Sequence, residues 1–258
     1  MKRVHLFEFE DQSWFPTTLR NYMTDFLQFL SNKAKVYEPV VDEINAMLKQ
    51  SNSNQIIDMG SGSGGGLLWL GNELHQKNSN VKIKLTDLYP NVTAFRHIAK
   101  NSPVFTYHEQ PVDAVSVSPE LKGLRTMFLA FHHLKPQKAI QVIQNAVDAN
   151  QPIATFEIQD RTFPSLLIMA LSPLSVLFTT PFIKPFRLDR IIFTYFIPIL
   201  PLVILWDGIV SCLRTYSTDE MRALVDKVNY KDNYTWQFVK KKSKKGFVIY
   251  MFGIPKAS

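Results

Sequence analysis

The sequence predicts an α/β fold in which a mostly parallel sheet carries helices on both of its faces. Three observations lead to this prediction. Between residues 55 and 158, short apolar runs of strand length alternate with helical patterns, as a parallel sheet requires. A glycine-rich turn, DMGSGSGGG (58–66), joins the first strand to its helix. The C-terminal region holds two β-branched and aromatic runs around a basic turn, which indicates an antiparallel hairpin.

Composition is typical of a globular chain large enough for one α/β domain with additions. The 258 residues are 46% hydrophobic and 20% charged, which excludes a disordered protein. A single cysteine, Cys212, allows no internal disulfide and favours a reducing, cytoplasmic compartment. Acidic residues stand where a signal peptide would have its apolar core, so no secretion signal is expected. The net charge of +7 fits either a negatively charged partner or simple solubility.

The first 54 residues are predicted to form a helical lid. Apolar residues recur at helical spacing between positions 19 and 30 and again between 40 and 48. The polar break SNSN (51–54) ends this region. The acidic residues Glu8, Glu10 and Asp11 either reach over the site as part of the lid or form a solvated segment before the first helix.

Residues 55–160 are predicted to form the nucleotide-binding core. Its strands are QIIDM (55–59), VKIKLTD (81–87), residues 104–107, LRTMFLAF (124–131) and PIATFEI (152–158). Helices are expected over residues 64–77, 91–101 and 135–149.

Residues 161–214 interrupt this alternation with an apolar, helical insertion. The runs 165–183 and 191–206 carry no charge, and the first reaches the length of a membrane span. Two prolines interrupt each run, and the charged connection KPFRLDR lies between them, which disfavours a spanning hairpin. Three roles stay open: a lid over an apolar pocket, a homodimer interface, or peripheral membrane contact assisted by the KKKSKK run at 240–245.

Residues 215–258 are predicted to complete the core with a helix and a hairpin. Ser217 and Glu220 have the spacing of a capping box that opens a helix. YTWQFVKK and GFVIYMFG are the two expected hairpin strands.

The glycine turn matches two cofactor patterns. Gly60-x-Gly62-x-x-Gly65 fits the dinucleotide fingerprint of NAD(P)-dependent oxidoreductases, whereas Asp58-x-Gly60-x-Gly62-x-Gly64 fits the loop that binds S-adenosylmethionine. The turn follows a helical region of about 50 residues, whereas dinucleotide-binding domains often place it near their start. Asp58 lies at the end of the first strand, where it could orient an amino group. Both features favour S-adenosylmethionine.

With its C-terminal hairpin after a fifth parallel strand, the chain resembles the class I S-adenosylmethionine-dependent methyltransferases. The resemblance covers residues 55–160 well and 215–254 in outline, and the segments FEFEDQSWFP and LWDGIVSCLRTYS are similar to those of uncharacterised bacterial members. It implies a Rossmann-like, seven-stranded sheet with one reversed strand near the edge. It also implies S-adenosyl-L-methionine as cofactor and methyl transfer as the reaction, and the apolar insertion favours a small, lipophilic acceptor. An oxidoreductase or a non-catalytic S-adenosylmethionine-binding protein are the alternatives.

The resemblance also assigns roles to individual residues. The expected cofactor-binding residues are Asp58, Gly60, Ser61, Gly62, Gly64, Asp87, Leu88, Val112, Asp113, Ala114 and Phe131. Asp87 would accept hydrogen bonds from both ribose hydroxyls, because an ionised carboxylate is an acceptor only.

The candidate catalytic residues are His132, His133 and Glu157. A histidine there would act as general base or would only shape the pocket. The histidines and Cys212 show no metal-ligand spacing, so no metal is predicted. The scattered basic residues disfavour nucleic acid as a partner.

Overall fold

A computed structural model describes residues 1–243 and 246–256, and its centre is a seven-stranded mixed sheet. The strands are β1 (Gln55–Met59), β2 (Lys82–Thr86), β3 (Phe105–Tyr107), β4 (Leu124–Phe128), β5 (Ile153–Glu157), β6 (Tyr234–Ser243) and β7 (Gly246–Pro255). Their order is β3-β2-β1-β4-β5-β7-β6. Strands β1 to β5 are parallel, and β7 is antiparallel to both β5 and β6. The predicted fold class, with one reversed strand near the edge, is confirmed. Lys244 and Lys245 of the basic run lie outside the described residues.

The helices follow the predicted pattern in chain order. They are α1 (Thr17–Ala34), α2 (Val41–Gln50), α3 (Leu67–Lys77), α4 (Val92–Asn101), α5 (Pro136–Asp148), α6 (Phe163–Ala170), α7 (Ser172–Thr179), α8 (Leu188–Ile191), α9 (Ile199–Arg214) and α10 (Thr218–Val225). Helix α10 begins at the predicted capping box, in which Ser217 and Glu220 bond each other's backbone N–H groups. A π-helical turn, Ile192–Phe196, leads from α8 toward α9.

Strand β4 ends three residues before its predicted end. Leu129 has a φ of 52°, a left-handed conformation that a strand cannot continue through. The chain then forms a short 3₁₀ turn, Phe131–His133. The apolar run LRTMFLAF therefore divides between a strand and a turn, and the turn carries the histidine pair.

Hydrophobic clusters cover both faces of the sheet. One cluster includes Ile44 of α2 and Leu70 of α3, and the other includes Ile143 of α5 and Met221 of α10. A third cluster joins α1 to the apolar insertion, with Tyr22, Met23 and Phe26 against Val176, Leu200 and Ile204. Because they share this cluster, α1 and the insertion form one layer of the molecule.

The sheet reverses its winding direction between β1 and β4. Strands β2 and β3 extend from one side of β1, whereas β4 and β5 lie on the other side. Such a switch point opens a crevice at the carboxyl ends of the two central strands. The glycine turn follows β1 and the histidine pair follows β4, so both lie at this crevice.

Helix α1 holds the glycine turn in place. Asn32 donates from Nδ2 to the Gly65 carbonyl (2.6 Å) and accepts the Trp69 N–H at Oδ1 (2.8 Å). Thr24 Oγ1 lies 2.7 Å from Ser63 Oγ. Helix α3 has Gly66 at its N-cap and no side-chain cap of its own. Asn32 therefore supplies from α1 the acceptor that an N-cap residue supplies in most helices.

We expect Asn32→Ala to lower the free energy of unfolding by about 1–2 kcal/mol, because it leaves the Trp69 N–H and the Gly65 carbonyl without these partners. Chemical denaturation measures this loss. The matched control is Asn101→Ala, which removes an exposed amide bonded only to the His97 backbone and ring and should change stability by less than about 0.5 kcal/mol. Equal losses in the two variants would contradict the capping role.

Candidate functional site

A cavity of about 820 Å³ lies at the carboxyl edge of the sheet. The glycine turn and the ends of β2 and β4 form its floor, while α1, the N-terminal segment and helices α6, α7 and α9 contribute its walls. Its volume is in the range of small-molecule sites. The switch point of the sheet and the cavity therefore coincide.

The glycine turn passes close to its neighbours in a backbone conformation that favours glycine. Gly60, Gly62, Gly64 and Gly65 all have positive φ angles, between 42° and 92°. A Cβ atom on Gly60 would lie 3.0 Å from that of Ala130, and one on Gly64 would lie 2.7 Å from Ile98. Gly60, Ser61 and Gly62 line the cavity, whereas Gly64 faces α4.

Asp58 supports this turn from below. Its Oδ2 accepts a hydrogen bond from Ser61 Oγ (2.6 Å), and its Oδ1 accepts one from Thr126 Oγ1 on β4 (3.0 Å). The side chain is buried, and burial raises the pKa of Asp58 to about 7 despite these two bonds. Its carboxyl group faces the turn and β4 and is not part of the cavity wall.

Asp87 follows β2 and lines the cavity. Its Oδ2 accepts the Gly62 N–H (2.7 Å) and its Oδ1 accepts the Tyr89 N–H (2.8 Å). Each carboxylate oxygen has a second lone pair, so Asp87 can fix the turn and still accept hydrogen bonds from a ligand.

Of the other predicted cofactor residues, four line the cavity and Phe131 is buried away from it. Leu88, Val112, Asp113 and Ala114 line the cavity beside Asp87. Phe131 does not: it is fully buried in the cluster under α5, with its ring centroid 5.4 Å from that of Tyr216. The left-handed residue Leu129 turns the chain after β4 and directs Phe131 inward. Phe128 and Ala130 line the cavity instead.

His132 and Glu157 form a buried pair at the cavity wall. Glu157 contacts His132 twice, because its Oε2 lies 2.9 Å from Nδ1 and its Oε1 accepts the His132 backbone N–H (3.0 Å). A neutral ring that donates from Nδ1 to Glu157 would carry its lone pair on Nε2, which lies 4.0 Å from Glu8 Oε1. Within the described part of the chain, Nε2 is buried and has no hydrogen-bond partner. This is the geometry of a positioned base.

His133 faces a different set of charges. Its Nδ1 lies 3.0 Å from Glu8 Oε2 and 2.8 Å from Asp11 Oδ1. Arg214 Nη1 contacts the same two carboxylates at 3.0 and 2.7 Å. Burial alone would lower the pKa of His133, but the two carboxylates outweigh it and raise that pKa well above the usual range. A protonated His133 and Arg214 thus balance Glu8 and Asp11.

These contacts fasten residues 3–15, which we call the strap, across the cavity. Asp207 of α9 accepts the N–H groups of Phe9 (2.9 Å) and Glu10 (3.1 Å). Arg20 of α1 donates to the Glu10 carbonyl (3.0 Å) and the Gln12 carbonyl (2.6 Å). The interpretation of Glu8 as solvated is wrong, since its side chain is 1% exposed.

Glu10 of the strap and Asp207 of α9 are two carboxyl groups for which the effect of burial on the pKa outweighs the charge of His133. Glu10 and Asp207 both line the cavity. Burial raises the pKa of each to about 7, so near neutral pH they exchange protons readily.

The fold also brings together a trio of potential metal ligands that the sequence did not predict. Ligand atoms of Glu8, His132 and His133 lie within 4.8 Å of one another. The Arg214 guanidinium lies 3.0 Å from Glu8, where it would compete with a metal cation. The arrangement therefore fits an ion-pair network better than a metal centre.

Several site residues were missed by sequence reasoning. Asn32, Arg20 and Arg214 act through partners distant in sequence, and no local pattern marks them. Asp207 did carry a signal, because it is the single charged residue between positions 191 and 210.

Comparison with known proteins shows similarity at the level of the fold. No protein-family model and no curated protein matches this chain. An O-methyltransferase family protein from Burkholderia thailandensis aligns with a TM-score of 0.51 and 12% identity, covering 89% of this chain and 59% of that one. Human N-acetylserotonin methyltransferase, solved in complex with SAM, aligns with a TM-score of 0.52 and 14% identity, covering 90% of this chain and 56% of that one. The methyltransferase domain of bacterial CtHen1 aligns with a TM-score of 0.50 and 15% identity, covering 86% of this chain and all of that domain.

The chain thus spans less than two thirds of the length of the first two structures. At these identities the likeness shows an α/β methyltransferase-like fold.

We expect Asp58→Asn to flatten the dependence of stability on pH. The folded-state pKa of Asp58 is about 7 and its ordinary value is 3.8, so the folded state binds more protons between these values and wild-type stability falls as pH rises through this window. An amide does not ionise, and it can donate to one neighbouring hydroxyl and accept from the other. The variant should therefore gain stability relative to wild type from pH 4 to pH 7, by a few kcal/mol at most, on the order of 1.4 kcal/mol per pH unit.

Denaturation midpoints measured across this pH range test the expectation. Asp113→Asn, at an exposed turn position, is the control and should follow the wild-type slope. A parallel shift of Asp58→Asn at every pH would show that Asp58 is ionised throughout.

Proposed function

We propose that this protein is an S-adenosylmethionine-dependent methyltransferase that acts on a small, lipophilic acceptor. The observation that carries the proposal is the convergence of the glycine turn, Asp87 and the His132–Glu157 pair on one cavity at the switch point of the sheet. The fold supports it, because structures with this fold include an O-methyltransferase family protein and a methyltransferase in complex with SAM.

The residues present fit this cofactor. The glycine turn lets backbone approach a ligand closely, and Asp87 lines the cavity with acceptor oxygens that could receive ribose hydroxyls. Leu88, Val112 and Ala114 give the adjoining wall apolar surface for an adenine ring. Asp113 keeps one oxygen on the Val115 N–H (3.0 Å) while its side chain borders the same wall.

S-adenosylmethionine, when bound, supplies a methyl group that its sulfonium makes electrophilic. This chain's residues then have to orient the acceptor and receive its proton. His132 Nε2 is the free lone pair at the cavity wall, and Glu157 stabilises the imidazolium that forms when Nε2 takes a proton. An acceptor that carries a removable proton, such as a hydroxyl group, suits this pair.

The far side of the cavity supports a lipophilic acceptor. Met23 and Phe26 of α1 and Ile168, Met169 and Ile204 of the insertion contribute to its wall. The strap and α1 contribute walls of the cavity, and an acceptor that displaced water from it would strengthen the charge interactions inside.

We expect calorimetric titration to show micromolar binding of S-adenosylhomocysteine and none of NAD(H) or NADP(H). Asp87→Ala should weaken this binding at least about tenfold, because a hydrogen bond to a charged group contributes about 1.5–3 kcal/mol. Asp226→Ala, which removes an exposed carboxylate paired with Lys231, is the control and should leave affinity unchanged. Dinucleotide binding would replace the proposal with an oxidoreductase, and unchanged affinity in Asp87→Ala would move the cofactor elsewhere.

We expect His132→Gln and Glu157→Gln to lower the rate of methyl transfer by about a hundredfold or more, with S-adenosylhomocysteine affinity unchanged. The assay uses S-adenosylmethionine labelled in its methyl group and an acceptor found by screening lipophilic alcohols, acids and amines. Full activity in His132→Gln would limit His132 to shaping the pocket.

A further inference from the structure

The apolar insertion has the hydropathy of a membrane segment and is largely unburied. Residues Phe163–Phe182 form a stretch of 20 residues with mean hydropathy 1.7, and only 17% of the scored window is buried. Among the described residues this is the one continuous helical stretch long and apolar enough to cross a membrane. Leu188–Phe196 and Ile199–Arg214 qualify only as a pair, which is bent by 77°.

Large side chains project from this insertion into solvent. Phe163, Phe178, Phe182, Phe186, Leu188 and Phe196 are each between 64% and 78% exposed, and we call these six residues the apolar face. They come from α6, α7, α8 and the turns that join them. Single exposed apolar residues are ordinary in soluble proteins, but a concentration of six large ones between positions 163 and 196 is typical of an interaction site.

The inner side of the same helices packs against the rest of the protein. Val176 and Leu200 pack against α1, and Ile168 and Met169 line the cavity. Arg190 is buried and donates to the Ile183 and Pro185 carbonyls and to Asp25 of α1. A spanning arrangement would remove these helices from the body, so only their outer side is available to a membrane.

We propose that the apolar face docks into the interfacial region of an anionic lipid bilayer, with the insertion lying along the surface. Helices that lie in this region combine Phe, Leu and Trp on one side with cations near the headgroups. Lys184 and Arg187 are exposed between α7 and α8, and Arg187 is paired with Asp189 (2.7 Å), the one acidic residue from 163 to 206. Lys184 is therefore the cation that the insertion offers to a headgroup. Tyr195 and Trp206, partly exposed on the same insertion, belong to the aromatic types enriched at membrane interfaces.

A bilayer suits this surface better than a second copy of the chain. Protein interfaces are surrounded by a polar rim in which charged side chains are common, whereas residues 163–182 contain no charged side chain. Basic residues outside the insertion contribute less, since Lys240 is paired with Asp160 and Lys241 with Glu43. The binding energy should therefore come mainly from apolar burial and should tolerate salt.

The apolar face and the cavity are continuous through Ile168, which is 63% exposed and also lines the cavity. A lipophilic acceptor dissolved in the bilayer would thus meet the cavity wall directly. This last step rests on the proposed methyl transfer, but docking itself does not.

Flotation of the purified full chain with phosphatidylcholine–phosphatidylglycerol vesicles, mixed three to one, tests the docking. We expect the wild type to float at both low and high salt. Phe178→Glu should reduce the bound fraction at least about tenfold, because burial of one large apolar side chain contributes about 1.5–3 kcal/mol. The matched control is Tyr230→Glu, since Tyr230 is 73% exposed and Phe178 is 74% exposed, and it should float like wild type.

Thermal unfolding and S-adenosylhomocysteine titration of each variant establish that the fold and the cavity are intact. Failure of that titration in the wild type would overturn the proposed function without touching the docking. A wild type that stays at the bottom of the gradient would overturn the docking. So would a Phe178→Glu variant that floats normally, flotation that disappears at high salt, or a wild-type dimer that Phe178→Glu dissociates without vesicle binding.

Discussion

The buried carboxyl group of Asp58 joins the parts from which the site is built. Through one oxygen it holds Ser61 in the glycine turn, and through the other it holds Thr126 on β4. Asp58 and Thr126 are register partners on the two central strands, so these bonds tie the glycine turn to the sheet beside the crevice that the topology opens. Asp87, α1 and the histidine turn then take positions around a loop already fixed from below. A group that never touches the cavity thereby determines its shape.

His132 and His133 are adjacent in sequence, but their different charged partners give them different chemical roles. Glu157 lies 2.9 Å from His132 Nδ1 and orients the ring, while Nε2 has no hydrogen-bond partner among the described residues and lies 4.0 Å from Glu8 Oε1. His133 faces two carboxylates, Glu8 and Asp11, which keep it protonated as a structural cation. One histidine is thus suited to accept a proton, while its neighbour is held in the charged form that closes the strap.

Local patterns predicted the parts of this fold that depend on local physics. Strand periodicity, the capping box at Ser217 and the terminal hairpin all appear where the sequence indicated them. The end of β4 did not, because a left-handed Leu129 has no signature in a run of apolar residues, and Phe131 was misplaced with it. Pairs such as Asn32 with Gly65, or Glu8 with His133, join segments that only the tertiary fold brings together. The acidic strap looked solvated because its counter-charges lie far along the chain.

Ile168 belongs to two surfaces at once, since it lines the cavity and is exposed on the outside of the insertion. A helix shared in this way would couple the two surfaces wherever binding at either one depends on the position of α6. Any ligand whose affinity depends on the position of α6 changes the affinity of α6 for its outer neighbour, and the reverse change is equal in size. Binding of a ligand in the cavity and binding of a partner at the outer side of α6 would then both report the same coupling free energy.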